Sequence, residues 1–207
     1  YKQVHQSQNK PWAGYEPSPT IERLLKKYGA ESDSTILEIG CGEGQNAINL
    51  MQKNYNVEAS DVSPEAIRWC KEQAKLAGVD EESFFVMDIL NNHLDKEYDF
   101  IFSVAVLHML VDDKDRREFF NFVRNHLKDT GKAFIVVMGD GKITYKTDSS
   151  KAFELSNRPF EDKTIQVATT SCRIVTWDQY LQEFQEADLK VLDHFLDKTI
   201  SGFEISM

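Results

Sequence analysis

Three acidic residues stand where three short apolar stretches end, and a glycine-rich turn follows the first of them. Residues 36–44 read ILEIGCGEG, in which Glu38 precedes glycines at positions 40, 42 and 44. Glycine permits positive φ and lets a ligand approach the backbone without a Cβ in the way. Asp61 lies about 20 residues beyond the first glycine, where a carboxylate can accept the hydroxyls of a ribose. Asp88 ends the third stretch, and its carboxylate could accept from an adenine amino group.

A nicotinamide or flavin dinucleotide is the first alternative ligand for such a turn. Its GxGxxG fingerprint needs a third glycine where this chain has Gln45. Its pyrophosphate lies over a helix N-terminus, whereas Glu43 would place a carboxylate there. The GxGxG spacing therefore argues against a nicotinamide enzyme.

Alternating strands and helices must position these acids. Ile36, Leu37 and Ile39 are typical of a buried strand in a parallel sheet. Ser63 and Pro64 begin a predicted helix that Gly78 ends, so Asp61 could also serve only as part of that helix start. Spacing further predicts helices over 20–28, 46–53, 113–127 and 177–187, and strands over 56–60, 83–87, 132–139, 189–196 and 200–206.

Together these motifs resemble the class I S-adenosylmethionine-dependent methyltransferases, from Thr35 to at least Phe195. The resemblance implies an α/β, doubly wound, Rossmann-like fold with a seven-stranded, mostly parallel sheet, helices on both faces and an antiparallel last strand. Tyr98 to Leu110 would be the fourth strand and the loop that faces the transferred methyl group. The implied cofactor contacts are Glu38, Gly40, Cys41, Gly42, Gly44, Asp61, Val62, Asp88, Ile89 and Ser103.

The segment before the first helix reads KPWAGYEPSP and is stiffened by its prolines. Its pattern of Pro11-Trp12, Gly14 and Pro17 or Pro19 resembles the start of the thiopurine, thiol and halide methyltransferases and, less closely, the tellurite-resistance methyltransferases. That resemblance implies that residues 1–30 form a cap segment and helix over the cofactor, with Trp12 and Tyr15 at the acceptor pocket. The alternative is that both aromatic residues only pack against the core.

His108 is the residue we would name as catalytic base or acceptor orienter, although it could simply hydrogen-bond its own loop. A soft nucleophile such as a thiolate would need no strong base. Residues 139–165 are predicted to form a lid or substrate loop. Tyr145, Arg173 and Tyr180 could line the acceptor pocket, and Arg173 could equally form a surface ion pair. Cys41 and Cys172 have no recognisable base partner, so we interpret both as structural.

Length and charge narrow the class of protein. A chain of 207 residues fits a single domain spanning 1–207. The net charge of −10, without a Lys or Arg cluster, disfavours nucleic-acid partners. Three cysteines without metal-ligand spacing indicate a reduced, cytoplasmic protein that binds no metal. The sequence has no long apolar run, so we expect no membrane partner. The chain begins at Tyr1 rather than methionine, so we expect residues before it.

The sequence therefore predicts an enzyme that transfers a methyl group from S-adenosylmethionine to a small-molecule acceptor by in-line displacement and releases S-adenosylhomocysteine. We expect a monomer or homodimer. The loop SVAVLHML lacks the Asn-Pro-Pro-aromatic run of adenine-amino and glutamine methyltransferases. Three alternatives remain: a methyltransferase for a peptide or tRNA, a non-catalytic S-adenosylmethionine-binding protein and, against the glycine spacing, the nicotinamide enzyme.

Overall fold

The computed structural model describes residues 16–148, 155–160, 163–168, 171–200 and 203–206. Side chains are described for residues 16–148 and 171–197. The elements alternate along the chain as the sequence pattern predicts. The helices are α1 (Pro19–Lys27), α2 (Gln45–Gln52), α3 (Pro64–Ala77), α4 (Asp113–His126) and α5 (Trp177–Glu186). The strands are β1 (Thr35–Ile39), β2 (Asn56–Asp61), β3 (Phe84–Val86), β4 (Tyr98–Val104), β5 (Leu127–Met138), β6 (Tyr145–Lys146), β7 (Leu155–Phe160), β8 (Lys163–Ala168), β9 (Arg173–Ile174), β10 (Leu196–Ile200) and β11 (Phe203–Ser206).

The central sheet has the strand order β10-β11-β5-β4-β1-β2-β3. Its five strands β1 to β5 pair in parallel, and β10 and β11 form an antiparallel pair that joins β5 through β11. The prediction of an α/β, mostly parallel sheet is confirmed. Within this sheet of seven strands the parallel ladder contains five, and the last strand of the chain, β11, pairs antiparallel with both β5 and β10.

Both faces of the parallel ladder are covered by helices, which explains why β1 carries apolar residues on both of its sides. Ile36 belongs to the cluster packed under α1, α2 and α3, whereas its neighbour Leu37 belongs to the cluster under α4 and α5. Successive strand residues point to opposite faces, so both faces need apolar residues. Parallel strands also bring their carboxyl ends to one edge of the sheet, where Glu38, Asp61 and Asp88 gather.

The helix boundaries follow the capping signals in the sequence. The Ser63 side chain accepts a hydrogen bond from the Ala66 N–H at 3.2 Å, Pro64 opens α3, and Gly78 closes it in the left-handed conformation. The strand expected over 189–196 is wrong for most of its length, since β10 begins only at Leu196. Residues before it carry the chain from the end of α5, where Asp188 adopts φ 56°, to the edge of the sheet.

Two small antiparallel ladders lie outside the main sheet. Strands β6 and β9 pair Tyr145 with Ile174 and Lys146 with Arg173, and β7 pairs with β8. The expected lid, residues 139–165, therefore contains β6, β7 and the start of β8 within its described part. None of the helices in the described ranges combines the length and apolar character that crossing a membrane requires.

Candidate functional site

The glycine turn after β1 is held against the end of β2. The N–H groups of Gly40 and Cys41 both donate to the Ser60 carbonyl, at 2.8 and 2.9 Å. All three glycines of the turn have positive φ: 70° at Gly40, 56° at Gly42 and 85° at Gly44. A Cβ on Gly40 would lie 2.3 Å from Val106 Cγ2, whereas a Cβ on Gly42 would meet no atom of the described residues within 4 Å. Gly40 is thus required by packing, and Gly42 faces open space that a ligand could approach.

Glu38 lies beneath this turn and is buried, with 1% of its surface exposed. Its Oε1 accepts from Asn46 Nδ2 at 3.0 Å and its Oε2 accepts from the Ala47 N–H at 3.1 Å. Burial nevertheless dominates and raises the pKa of Glu38 from 4.5 to about 8, and the nearby Asp61 carboxylate adds to the rise. Among the described residues, none with a positive charge is found to influence this buried carboxyl group, which leaves room for a cationic ligand.

Asp61 connects the glycine turn to the start of α3. Its Oδ2 accepts from the Gly42 N–H at 3.0 Å and its Oδ1 accepts from the Ser63 N–H at 2.8 Å. The helix-start role considered from the sequence is thus present. The ribose-binding role of Asp61 stays a prediction.

Asp88 organises the turn that follows β3. Its Oδ1 accepts from the Leu90 N–H at 3.1 Å and its Oδ2 accepts from Asn91 Nδ2 at 2.9 Å. The adjacent Ile89 packs partly buried against the second core cluster, and Val62 is half-buried after β2. All the predicted cofactor residues lie in the turns that end β1, β2, β3 and β4 or in those strands themselves.

Two buried polar atoms at this edge of the sheet have no hydrogen-bond partner among the described residues. They are Glu43 Oε1, in the glycine turn, and Ser103 Oγ, near the end of β4. Buried polar atoms are normally paired, and unpaired ones commonly mark the place of a ligand or water. The site thus combines an open glycine turn, a buried carboxyl group and unpaired polar atoms, and it fits a polar, positively charged nucleoside ligand.

The loop after β4 has a strained backbone at its first residue and is held in place by hydrogen bonds from α4. Ala105 has φ 62°, a conformation that non-glycine residues rarely adopt. Arg116 of α4 is fully buried and donates through Nη1 to the carbonyls of Leu107 and Leu110, at 3.1 and 3.4 Å. Its other nitrogens form a two-pronged contact with the Glu183 carboxylate of α5.

His108 lies in a short 3₁₀ helix of that loop and is buried. Its Nδ1 accepts weakly from the Met138 N–H at 3.4 Å, so a neutral ring carries its proton on Nε2. Burial and, second, the Arg116 guanidinium lower the pKa of His108 from 6.5 to about 4. Such an imidazole is a weak base at neutral pH, and the geometry favours a role in orienting groups over proton abstraction.

The other residues predicted to line the acceptor pocket are spread over several elements. Arg173 Nη1 donates to the Val111 carbonyl at 3.0 Å and forms an ion pair with Asp113, which is the surface pairing considered from the sequence. Tyr145 is 53% exposed. Tyr180 is buried under the Arg116 guanidinium, and its hydroxyl has no partner among the described residues. Trp12 and Tyr15 lie outside the described residues.

Two residues of structural importance at the site were missed from the sequence. Asn46 was interpreted only as a helix residue, although its place directly after the glycine turn could have signalled contact with Glu38. Arg116 falls within the helix predicted over 113–127, and nothing in that spacing singles it out. Its role depends on Glu183, 67 residues further along the chain, and no local pattern reveals that pairing.

Residues 36–131 match a family model described as a methyltransferase domain. The match is to a methyltransferase. The matched residues make up somewhat less than half of the chain and include the glycine turn, the three strand-end acids and the β4 loop.

Similar proteins include malonyl-[acyl-carrier protein] O-methyltransferase 1 of Ilyobacter polytropus, 31% identical over 61% of this chain and 42% of the relative. Among solved structures, the glycopeptide N-methyltransferase MtfA with S-adenosyl-L-homocysteine has a TM-score of 0.67 at 16% identity, over 92% of this chain and 85% of that one. The Burkholderia thailandensis 1,6-didemethyltoxoflavin-N1-methyltransferase, with its substrate and S-adenosylhomocysteine bound, has a TM-score of 0.70 at 14% identity, over 99% and 82%.

These comparisons confirm the methyltransferase prediction for the domain and show the fold of methyltransferases that bind S-adenosylmethionine or its product. They support S-adenosylmethionine as the cofactor. The subgroup expected from the first residues of the chain is not distinguished. The chain spans only about two fifths of the length of the first curated relatives, 41% and 42%.

Proposed function

We propose that the protein transfers a methyl group from S-adenosylmethionine to a small-molecule acceptor and releases S-adenosylhomocysteine. One observation carries the proposal: a buried carboxyl group, Glu38, lies under an open glycine turn at the carboxyl ends of parallel strands. A ligand with positive charge next to a nucleoside would satisfy both features. When bound, S-adenosylmethionine supplies an electrophilic methyl group attached to a sulfonium.

The residues of this chain would hold that cofactor by distinct contacts. The glycine turn offers close backbone approach at Gly42, and Asp61 can accept from ribose hydroxyls while it holds the Gly42 N–H. Asp88 and Ile89 would border the adenine, and Ser103 supplies an unpaired hydroxyl at the end of β4. Methyl transfer depends mainly on alignment of donor and acceptor, and positioning of this kind is worth about 7–11 kcal/mol.

The acceptor side favours a nucleophile that needs little help with deprotonation. His108 is a weak base because burial depresses its pKa to about 4. Burial raises the pKa of Tyr180 to about 12, so its hydroxyl stays protonated at neutral pH. Thiols and other soft nucleophiles, which ionise readily or attack without a base, are therefore the first acceptors to test. This preference agrees with the resemblance of the N-terminal segment to thiol and thiopurine methyltransferases.

A peptide or a carrier-bound acyl group is the second candidate acceptor. The relatives named above act on a glycopeptide and on malonyl-acyl-carrier protein, by their names. A tRNA acceptor is disfavoured by the net charge of −10.

We further place the enzyme in a reducing, cytoplasmic compartment. The sulfur atoms of Cys41 and Cys70 lie 3.9 Å apart, and the two buried cysteines are not joined by a disulfide. Cysteines this close are prone to oxidation to a disulfide where the environment is oxidising.

Calorimetric titration tests the cofactor part of the proposal. We expect S-adenosylmethionine and S-adenosylhomocysteine to bind and NADH not to bind. Asp61→Asn should weaken cofactor binding at least tenfold, because a neutral amide is a poorer acceptor for the ribose hydroxyls and the Gly42 N–H. Asp95→Asn, at an exposed residue, is the matched control and should bind normally.

A screen of thiols, phenols, amines and short peptides, with mass spectrometry of the products, then tests the acceptor class. Methylated thiols from the wild-type protein would support the proposal. Cofactor binding with product formed only on peptides would overturn the small-molecule assignment, and binding of NADH alone would overturn the methyltransferase function.

A further inference from the structure

Asn46 connects the start of α1 with the buried carboxyl group of the site. Its Oδ1 accepts from the Ser18 backbone N–H at 2.8 Å, and its Nδ2 donates to Glu38 Oε1 at 3.0 Å. Both halves of the amide are therefore used, one toward the residue that leads into α1 and one toward β1. The orientation of the amide is fixed at its Ser18 end, since a reversed amide would turn its NH₂ group toward the Ser18 N–H.

Ser18 lies at the outer end of these two hydrogen bonds, and its side chain also has hydrogen-bonding capacity that is not used. Ser18 Oγ is buried without a partner among the described residues. Ser18 also caps the first helix only by its backbone position, as its side chain makes no capping hydrogen bond to α1. Ser18 is therefore anchored at this point through its contact with Asn46 rather than through the helix that follows it.

The Glu38 carboxyl group, at the inner end of these two hydrogen bonds, is sensitive to nearby charge. Around the Glu38 carboxyl group lie the Asp61 carboxylate from β2 and the Cys41 thiol of the glycine turn. Neither supplies positive charge, and the stabilising contacts are the Asn46 amide and the Ala47 N–H. A cation that arrives at Glu38 would favour its ionised form, which in turn strengthens the Asn46 hydrogen bond, since hydrogen bonds to a charged acceptor are stronger.

We propose that Asn46 is a positioning residue that couples cofactor binding at Glu38 to the seating of Ser18 at the start of α1. The inference rests on the proposed function, because it takes the positively charged cofactor as the ligand of Glu38. Binding tightens the Glu38–Asn46 contact, which holds the amide in the orientation that receives the Ser18 N–H. Seating of Ser18 in turn holds Asn46 toward Glu38, so each event favours the other.

Two proton-linked consequences follow. Because burial raises the pKa of Glu38 to about 8, the ligand-free protein holds a proton there at neutral pH, and cofactor binding should release most of it. Proton release should decline as pH rises through about 8. Loss of the Asn46 donor should raise the titration midpoint of Glu38 further, even without cofactor.

Four variants separate the two ends of the connection. Asn46→Leu removes both contacts at similar volume, and Asn49→Leu on the same helix is its control. Ser18→Pro removes the backbone N–H together with the hydroxyl, and the observed φ of −67° at Ser18 suits proline. Ser18→Ala is its matched control, because it keeps that N–H and removes the hydroxyl. Thermal melts confirm that each variant is folded.

The measurements are calorimetry of S-adenosylmethionine, which carries the sulfonium charge, in two buffers of different ionisation enthalpy and amide hydrogen exchange of residues 16–25 with and without that ligand. We expect wild type to release a proton and to gain protection over 16–25. Asn46→Leu should bind about tenfold more weakly and lose the gain in protection. Ser18→Pro should lose the gain in protection, and both control variants should behave as wild type.

A third measurement needs no cofactor, namely carboxyl-carbon NMR titration of Glu38 in the ligand-free protein. An upward shift of its midpoint in Asn46→Leu supports the coupling. Equal midpoints, or ligand-induced protection retained in both Asn46→Leu and Ser18→Pro, would overturn it while leaving the methyltransferase proposal intact. Failure of wild type to bind S-adenosylmethionine would instead overturn the proposed function and the cofactor coupling with it.

Discussion

The cofactor side and the acceptor side of the candidate site are built in different ways. On the cofactor side, partners are near in sequence: Glu38 and Asn46 are 8 residues apart, and Asp61 and Gly42 are 19 apart. On the acceptor side, Arg116 reaches Glu183 across 67 residues and Arg173 reaches Asp113 across 60. The first side is organised mainly by backbone turns and the second by long side chains, so we expect changes in the long side chains to leave the cofactor side largely in place.

The variant with the largest expected effect on this contrast is Arg116→Met. It leaves the Glu183 carboxylate and two loop carbonyls without their donor, and breaking a buried ion pair typically costs about 3–5 kcal/mol. We expect that loss in the free energy of unfolding measured with urea. Arg117→Met, on the exposed face of the same helix, should change it by less than about 0.5 kcal/mol.

If the two sides are separate, the folded fraction of Arg116→Met should still bind S-adenosylhomocysteine with near wild-type affinity. A loss of cofactor affinity equal to that of Asp61→Asn would contradict the separation. The double variant Arg116→Met with Glu183→Leu should recover part of the stability, because it removes the unpaired carboxylate as well.

This difference also decides what the sequence could predict. Glu38, Asp61 and Asp88 were found because each follows an apolar strand, and parallel strands end at a common edge. The seating of Arg116 under Leu107 could not be predicted, because it requires the relative placement of α4 and α5, which only packing determines. Asn46 was within reach of local reasoning, but a polar residue early in a helix has many ordinary roles and gives no signal of its own.

The same reasoning explains the errors near the end of the chain. The strand expected over 189–196 had a suitable apolar pattern, yet its residues connect α5 to β10. Phe195 packs against the first core cluster and Asp193 pairs with Lys27 of α1. Alternating apolar residues thus serve a connection here, and periodicity alone cannot separate that use from a strand.

The second prediction concerns the contribution of His108 to stability at acidic pH. Its pKa is about 4 when folded and 6.5 ordinarily, so between these values the unfolded state binds more protons. Its contribution to stability is present above pH 6.5 and is lost as pH falls toward 4, by about 3 kcal/mol in all. We expect urea unfolding of His108→Gln to depend less on pH in that window. His93→Gln, at an exposed histidine, should keep the wild-type dependence.

The third prediction is the counterpart on the cofactor side, where the sign is reversed. Glu38 has a folded pKa of about 8 against 4.5 ordinarily, so the folded state binds more protons between these values. The stability of the ligand-free protein should therefore contain a term that falls as pH rises from 4.5 to 8. Glu38→Gln should remove that term, and Glu31→Gln should not. A pH profile unchanged in Glu38→Gln would show that Glu38 is already ionised without the cofactor.

The fourth prediction compares two glycines with nearly the same backbone angle. Gly40 has φ 70° and Gly78 has φ 71°, so alanine at either position meets a similar cost of about 1–2 kcal/mol. Only Gly40 has Val106 Cγ2 at 2.3 Å from the added Cβ. Gly40→Ala should therefore lose about 1–3 kcal/mol more in urea unfolding than Gly78→Ala. Equal losses would mean that Val106 moves aside freely and that the turn and the β4 loop are not packed together.

The smallest effect is expected at Arg173, where the two interpretations from the sequence still compete. The pKa of Asp113 is lowered, first by its hydrogen bond from Arg173, but the aspartate is exposed and such a pair contributes at most about 1 kcal/mol. If Arg173 only ties β9 to α4, Arg173→Met and Asp113→Asn should lose similar small amounts of stability and leave the KM for every acceptor unchanged. We expect this result, because the Nη1 group of Arg173 already has two protein partners. A KM that rises for acidic acceptors in Arg173→Met but not in Asp113→Asn would assign Arg173 to the acceptor. It would then show that the acceptor side, too, uses a residue the sequence could identify.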